Sequence, residues 1–162
     1  MRQLPAHPVL RSARSSRRSR RTCRPRLVIT AYFDGGARGN PGPAGYGVFI
    51  VDGLGNVLSE QHGSLGTATN NIAEYRGLIA ALQWTVEHNV SQFVVKGDSQ
   101  LIIEQMRGNY KVKNEGLKPL YLQARMLVMQ IGDVRFEHVP REQNRDADRL
   151  SNIGMDSNTS EV

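Results

Sequence analysis

The chain has 162 residues and a formal net charge of +6, a length that suits one domain of ordinary size and excludes a multidomain machine. The charge is unevenly spread: residues 1–26 hold nine arginines and no acid, so removing this +9 from the whole-chain value leaves −3 on residues 27–162. A lone Cys23 excludes a disulfide framework and a cysteine zinc cluster, and no apolar run approaches the roughly 18 residues of a membrane span or forms the core of a secretory signal. A soluble protein with no membrane partner is expected.

Residues 1–26 are rich in Arg and Ser, carry Pro5, Pro8 and Pro25, and offer almost no periodic apolar content. Such a segment cannot offset the entropy of ordering and reads as a disordered tail. Four readings fit it: a solvated extension, a nucleic-acid-binding arm, an organelle transit peptide, or codons upstream of the true start of translation. Order begins at Leu27, where LVITAYF (27–33) reads as a buried strand ending at Asp34-Gly35-Gly36. GGARGNPGPAG (35–45) reads as a loop, and YGVFIVD (46–52), GLGN (53–56) and VLSEQHGSLG (57–66) as a hairpin. From Asn71 the period changes, and Tyr75, Leu78, Ile79, Leu82 and Val86 predict an amphipathic helix over 72–88. SQFVVKGD (91–98) is a fourth strand reached through that helix, a crossover that adds a parallel strand. A short helix over 99–106 ends at Gly108, and a second helix carries Leu117 through Ile131, with Pro119 tolerated in its first turn. VRFEHV (134–139) is a fifth strand, EQNRDADRLSNI (142–153) a closing helix, and residues 154–162 a flexible polar end. The order βββαβααβα predicts an α/β domain over 27–153 with a mixed five-stranded sheet flanked by helices.

Four acids sit at element ends or on the closing helix: Asp34, Glu74, Asp98 and Asp148. Each has an ordinary structural explanation. Asp34 could start a turn, Glu74 could complete a capping box with Asn71, Asp98 could cap the helix after it, and Asp148 could pair with an arginine. Together they say more. Asp34 and Asp98 both follow apolar strands at the C-terminal ends, the edge where α/β sheets place their sites. Converging carboxylates repel unless cations neutralise them, and hard oxygen ligands suit Mg²⁺ or Mn²⁺. Such a cluster points to two-metal phosphoryl chemistry. General-acid work by a carboxylate pair remains open, and nucleophilic Ser/His/Asp catalysis has no comparable signal.

Four segments in order resemble the type 1 ribonuclease H family: YFDGGARGNPGPAGYG (32–47), TNNIAEYRGLIAAL (69–82), VKGDSQLI (95–102) and VPREQNRDADRLSN (139–152). The resemblance covers 27–153. It implies the ribonuclease H fold and an endonuclease that cleaves the RNA strand of an RNA/DNA hybrid with two Mg²⁺ or Mn²⁺ ions, leaving 3′-hydroxyl and 5′-phosphate ends. It also implies that Asp34, Glu74, Asp98 and Asp148 bind the metals. Asp146 lies two residues before Asp148, about 200° round a helix, so both cannot face the same ions. The family spacing from Asn144 selects Asp148. Asp146 is then a surface acid that can meet Arg149. The backbone at Gly35 and Gly36 can approach a ribose, whose 2′-hydroxyl distinguishes RNA from DNA. The family further implies that Asn40, Asn70 and Gln100 contact the hybrid's minor groove and that Thr69 helps hold a DNA-strand phosphate.

Two departures from the family pattern stand out. Many bacterial members have a histidine in a flexible loop before the last helix, but here only PREQN follows FEHV, so His138 belongs to the strand and Arg141 becomes the candidate positive group near the scissile phosphate. Many relatives also insert a basic helix and loop after the position of Gly108. Here NYKVKNEGLKPLY (109–121) runs directly into the next helix, leaving a small patch of Arg107, Lys111, Lys113 and Lys118. The expected protein is a monomeric, short-form enzyme of a prokaryotic cytoplasm, or of an organelle if the tail is a transit peptide, with the tail raising affinity for nucleic acid non-specifically. The alternatives are a hybrid-binding module without catalysis and another nuclease of the same superfold.

Overall fold

A computed structural model describes residues 28–160. The basic stretch 1–26 lies outside the described residues. The chain runs β1 (Ile29–Ala37), β2 (Gly42–Val51), β3 (Val57–Ala68), α1 (Asn70–Glu87), β4 (Gln92–Gly97), α2 (Gln100–Arg107), α3 (Lys118–Ile131), β5 (Asp133–His138), a 3₁₀ turn (Arg141–Gln143) and α4 (Arg145–Ser160). This is the expected order βββαβααβα. The five strands form one sheet in the order β3-β2-β1-β4-β5. The first three are antiparallel, and β4 and β5 run parallel to β1. Among the described residues, no helix is long and apolar enough to cross a membrane.

Strand alternation divides β1 between two layers. Ala31 and Phe33 face the side covered by α1, where they join Val48, Ile50, Tyr75, Leu78, Leu82, Phe93 and Val95 in the main core. Helices α2 and α3 extend that core through Ile102, Ile103, Met106, Leu120 and Ala124. Each fully buried side chain of this size contributes about 1.5–3 kcal/mol. The opposite face is covered by α4, which buries Ala147, Leu150, Ser151 and Met155. Asp34 points to this second side.

The glycines explain how closely the helices approach. A Cβ on Gly35 would collide with the Ala73 carbonyl and lie 2.5 Å from the Glu74 amide nitrogen. A Cβ on Gly47 would collide with the Ala147 carbonyl and lie 2.5 Å from the Ser151 amide. With no side chain at either place, α1 and α4 rest on bare strand backbone from opposite sides.

The element ends lie within one or two residues of the sequence reading except in three places. The stretch 35–45 is not a loop: β1 and β2 continue their ladder through Gly36↔Gly45 and Ala37↔Ala44, so only residues 38–41 turn. Glycine there serves close packing, a role that composition rules read as a turn. The segment before α4 breaks at Asn144, so the helix begins at Arg145 after a 3₁₀ turn. The polar stretch from Gly154, expected as a flexible end, continues α4 to Ser160, with Met155 buried against Gly36. Pro119 does lie in the first turn of α3, and Gly108 ends α2 in the left-handed conformation with φ +89°.

Candidate active site

Asp34 and Asp98 stand at the C-terminal ends of neighbouring parallel strands, Asp34 within β1 and Asp98 directly after β4. The β5 chain holds this edge in place, since the Val139 amide donates to the Gly97 carbonyl at 2.9 Å. Glu74 comes from the first turns of α1. The expected capping box with Asn71 does not form. Thr69 is the N-cap instead, its Oγ1 accepting from the Ile72 amide at 3.3 Å, which moves the helix start forward and frees Glu74 to face the sheet edge. Asp98 is not a cap either. Ser99 caps α2, accepting from the Ile102 amide at 3.4 Å, and its hydroxyl also favours the charged form of Glu74.

These placements bring one carboxylate oxygen each of Asp34, Glu74 and Asp98 within 4.8 Å of one another. Asp148, on the first turn of α4, lies outside that trio but shares a hydrogen bond with Asp34. Asp34, Glu74 and Asp148 line a cavity of about 340 Å³ together with Gly35, Gly36, Arg38, Asn70, Arg141 and Met155. The electrostatic result is strong. Burial, then the charge of Asp98, the bond to Asp148 and the charge of Glu74 push Asp34 up to about 8, against the opposing Gly35 amide. Burial likewise pushes Glu74 up to about 7, with Asp98 adding and Ser99 and Arg141 opposing. Protonated carboxyls at neutral pH are what such a cluster becomes without a counter-charge. A set of hard oxygen donors this close fits divalent cations such as Mg²⁺ or Mn²⁺.

Arg141 reaches the same cavity from the 3₁₀ turn, its Nε 3.9 Å from Asp98 Oδ2, with its side chain 84% exposed. His138 belongs to β5, as expected, but is its last residue, and it is exposed. Its Nε2 lies 3.3 Å from the Asp98 carbonyl, a contact the sequence did not suggest. Asp146 is exposed on α4 and sits 3.5 Å from Arg149, the expected surface pair.

The other expected substrate contacts are only partly gathered. Gly35, Gly36 and Asn70 line the cavity, whereas Asn40, Thr69 and Gln100 lie outside its lining. Asn40 and Asn70 lock the glycine turn to α1: the Asn70 amide donates to Asn40 Oδ1 at 3.0 Å, and the Ala37 amide donates to Asn70 Oδ1 at 2.8 Å. Gln100 is exposed at the start of α2.

Two residues near the acids make contacts that the sequence did not suggest: Ser151, and Asn144, which served there only as a spacing marker. Ser151, one turn after Asp148, is buried and places its hydroxyl 3.4 Å from Asp34 Oδ2 and 3.0 Å from the Asp148 carbonyl. Asn144 is also buried and donates from Nδ2 to the Phe33 carbonyl at 3.0 Å, while its Oδ1 has no protein partner. Together they tie α4 to the strand that carries Asp34. The i, i+3 spacing of Asp148 and Ser151 was the available signal for one of them.

Comparison with known proteins agrees with this arrangement. Residues 32–154 match a family model described as reverse transcriptase-like. The chain is 48% identical over 133 residues to the bifunctional protein Rv2228c of Mycobacterium tuberculosis, covering 82% of this chain and 36% of that protein. It is 41% identical over 128 residues to ribonuclease HI of Halobacterium salinarum, covering 79% of this chain and 64% of the relative. The chain thus spans about a third of the mycobacterial relative and under two thirds of the haloarchaeal one. The crystal structure of LC11-RNase H1 in complex with RNA/DNA hybrid superposes with a TM-score of 0.76 at 43% identity, covering 80% of this chain and 97% of that one. With the carboxylate cluster, the sheet order and these matches in agreement, the chain belongs to the type 1 ribonuclease H family.

Proposed function

We propose that this chain hydrolyses the RNA strand of RNA/DNA hybrids as a monomer, with two divalent cations, Mg²⁺ or Mn²⁺, leaving 5′-phosphate and 3′-hydroxyl ends. The observation that carries this reading is the convergence of Asp34, Glu74 and Asp98 within 4.8 Å at the sheet edge. Bound cations supply an acidified water and charge compensation at the leaving oxygen. Asp34, Glu74, Asp98 and Asp148 hold them. Ser151 and Asn144 fix the position of α4, and so of Asp148, relative to Asp34. Arg141, exposed on the cavity wall, meets the scissile phosphate. The backbone at Gly35 and Gly36, with Asn70 on the same cavity wall, faces the ribose side of the substrate, where a 2′-hydroxyl separates RNA from DNA. Asn40, Thr69 and Gln100 extend the contact along the duplex. Contacts of this kind read shape and backbone, so cleavage is largely independent of sequence. Support comes from a relative named ribonuclease HI and from the solved relative that holds an RNA/DNA hybrid.

The test is incubation of the purified chain with end-labelled RNA/DNA, RNA/RNA and DNA/DNA duplexes, with and without Mg²⁺ or Mn²⁺. Cation-dependent cutting of the hybrid's RNA strand is expected, with product 3′ ends that a polymerase extends. Asp98→Asn removes the activity while leaving the circular dichroism spectrum unchanged. Binding without cutting, or an active Asp98→Asn variant, overturns the proposal.

A further inference from the structure

Arg38 sits at the rim of the carboxylate cavity on the short turn between β1 and β2, and the sequence reading gave it no role. Its position is unusually well determined for an exposed arginine. The turn is pinned on both sides of it: the Ala37 amide donates to Asn70 Oδ1 at 2.8 Å, and the Arg38 amide donates to the Pro43 carbonyl at 2.8 Å. The side chain is held as well. Its Nη2 donates to Asp156 Oδ1 at 2.8 Å and to Asn152 Oδ1 at 3.3 Å, both on the later turns of α4. A guanidinium has five N–H donors in a planar fork, and these two bonds leave the Nε and Nη1 protons for a ligand.

An ion pair whose side chains are 50% and 66% exposed contributes little to stability. What the contact does is aim a fixed cation along the wall of a cavity otherwise dominated by Asp34, Glu74 and Asp148. A polyanion entering that cavity needs positive groups spaced along its path, and among the cavity-lining residues the arginines are Arg38 and Arg141. We propose that Arg38 binds a backbone phosphate of the hybrid, beside the bond that is cut, and that Asp156 and Asn152 are positioning residues that hold its guanidinium ready. This rests on the hybrid-nuclease reading above. Each of the remaining N–H groups can give a charge-assisted bond to a phosphate oxygen.

The experiment compares the full chain with Arg38→Ala, Asp156→Ala and the double variant. It measures KM and kcat on a hybrid, hybrid affinity by fluorescence anisotropy over a range of KCl, and the urea unfolding midpoint. Arg38→Ala raises KM by about five- to tenfold, with the loss falling on KM more than kcat, as expected for one charge-assisted contact. The slope of log affinity against log salt becomes shallower by about one. Asp156→Ala raises KM by less, and the double variant is no worse than Arg38→Ala, because the aspartate reaches the phosphate through the arginine. If the wild-type chain neither binds nor cuts hybrids, the nuclease reading fails. If it does both, but Arg38→Ala keeps the wild-type KM and salt slope, the phosphate role is refuted. A lowered urea midpoint with unchanged KM would identify the pair as a structural bridge and refute it equally. Additive KM effects in the double variant would refute the positioning role of Asp156.

Discussion

Replacing Asp34 by Asn should make the cation-free protein more stable, although the residue lies at the centre of the proposed site. The carboxyl is buried and pushed from an ordinary 3.8 up to about 8. Its folded-state value is raised, so between those two values the folded protein binds a proton that the unfolded chain releases. Stability therefore falls as pH rises through this window. At 1.36 kcal/mol per unit, the linkage for these two values amounts to about 2 kcal/mol at pH 5, about 4 at pH 7 and about 6 at pH 9. Asn has the same shape and no charge, so Asp34→Asn recovers this cost. The figures are ceilings, because Glu74 can take up a proton in its place and relieve part of the repulsion. The measurement is urea unfolding followed by circular dichroism in EDTA at pH 5, 7 and 9. The variant should exceed wild type at each pH by a margin that widens with pH. Adding Mg²⁺ should stabilise wild type far more than the variant and narrow the gap. A variant equal to or weaker than wild type at pH 9, or a margin that does not grow with pH, would refute the claim that the acids are held together against their own charge.

Two further outcomes follow from the same geometry. Mn²⁺ binding measured by calorimetry in buffers of different ionisation enthalpy should release protons at pH 6.5, because Asp34 and Glu74 are raised to about 8 and about 7, and the release should vanish near pH 9.5 where both are already ionised. Affinity should rise over that interval, and a proton count near zero at pH 6.5 would contradict the shifts. Gly47→Ala should lower stability by about 1–3 kcal/mol in urea unfolding and reduce activity, since the new methyl meets the Ala147 carbonyl and must push α4 and Asp148 outward; a variant with wild-type stability would show that α4 yields freely.

Much of the architecture could be read from the chain because its apolar periods are clean. LVITAYF, SQFVVKGD and the 3.6-residue repeat from Tyr75 to Val86 place strands and α1 within a few residues of their observed ends. The same patterns put Asp34 and Asp98 at one sheet edge. What could not be read depends on contacts between distant parts of the chain. Asn144 meets Phe33 across 111 residues, Ser151 meets Asp34 across 117, and Arg38 meets Asp156 across 118. A polar residue on a helix gives no sign of such a partner. The later turns of α4 stayed hidden because a helix resting on Gly45 needs few apolar anchors, and Met155 alone shows no period. The opposite error arose at 35–45, where glycines chosen for close packing imitate a loop.

Those glycines set a length. Where α1 meets Gly35 and α4 meets Gly47, no side chain lies between helix and strand, so the spacing between the two helices is gauged by one bare sheet backbone. Side-chain layers can be thinned by a rotamer change or a smaller residue; a peptide plane cannot. Glu74 rides on one helix, Asp148 on the other, and Asp34 on the strand between them. The separations within the acid cluster are thereby referred to the least compressible part of the fold, and variation elsewhere in the core can accumulate without changing the spacing of the carboxylates.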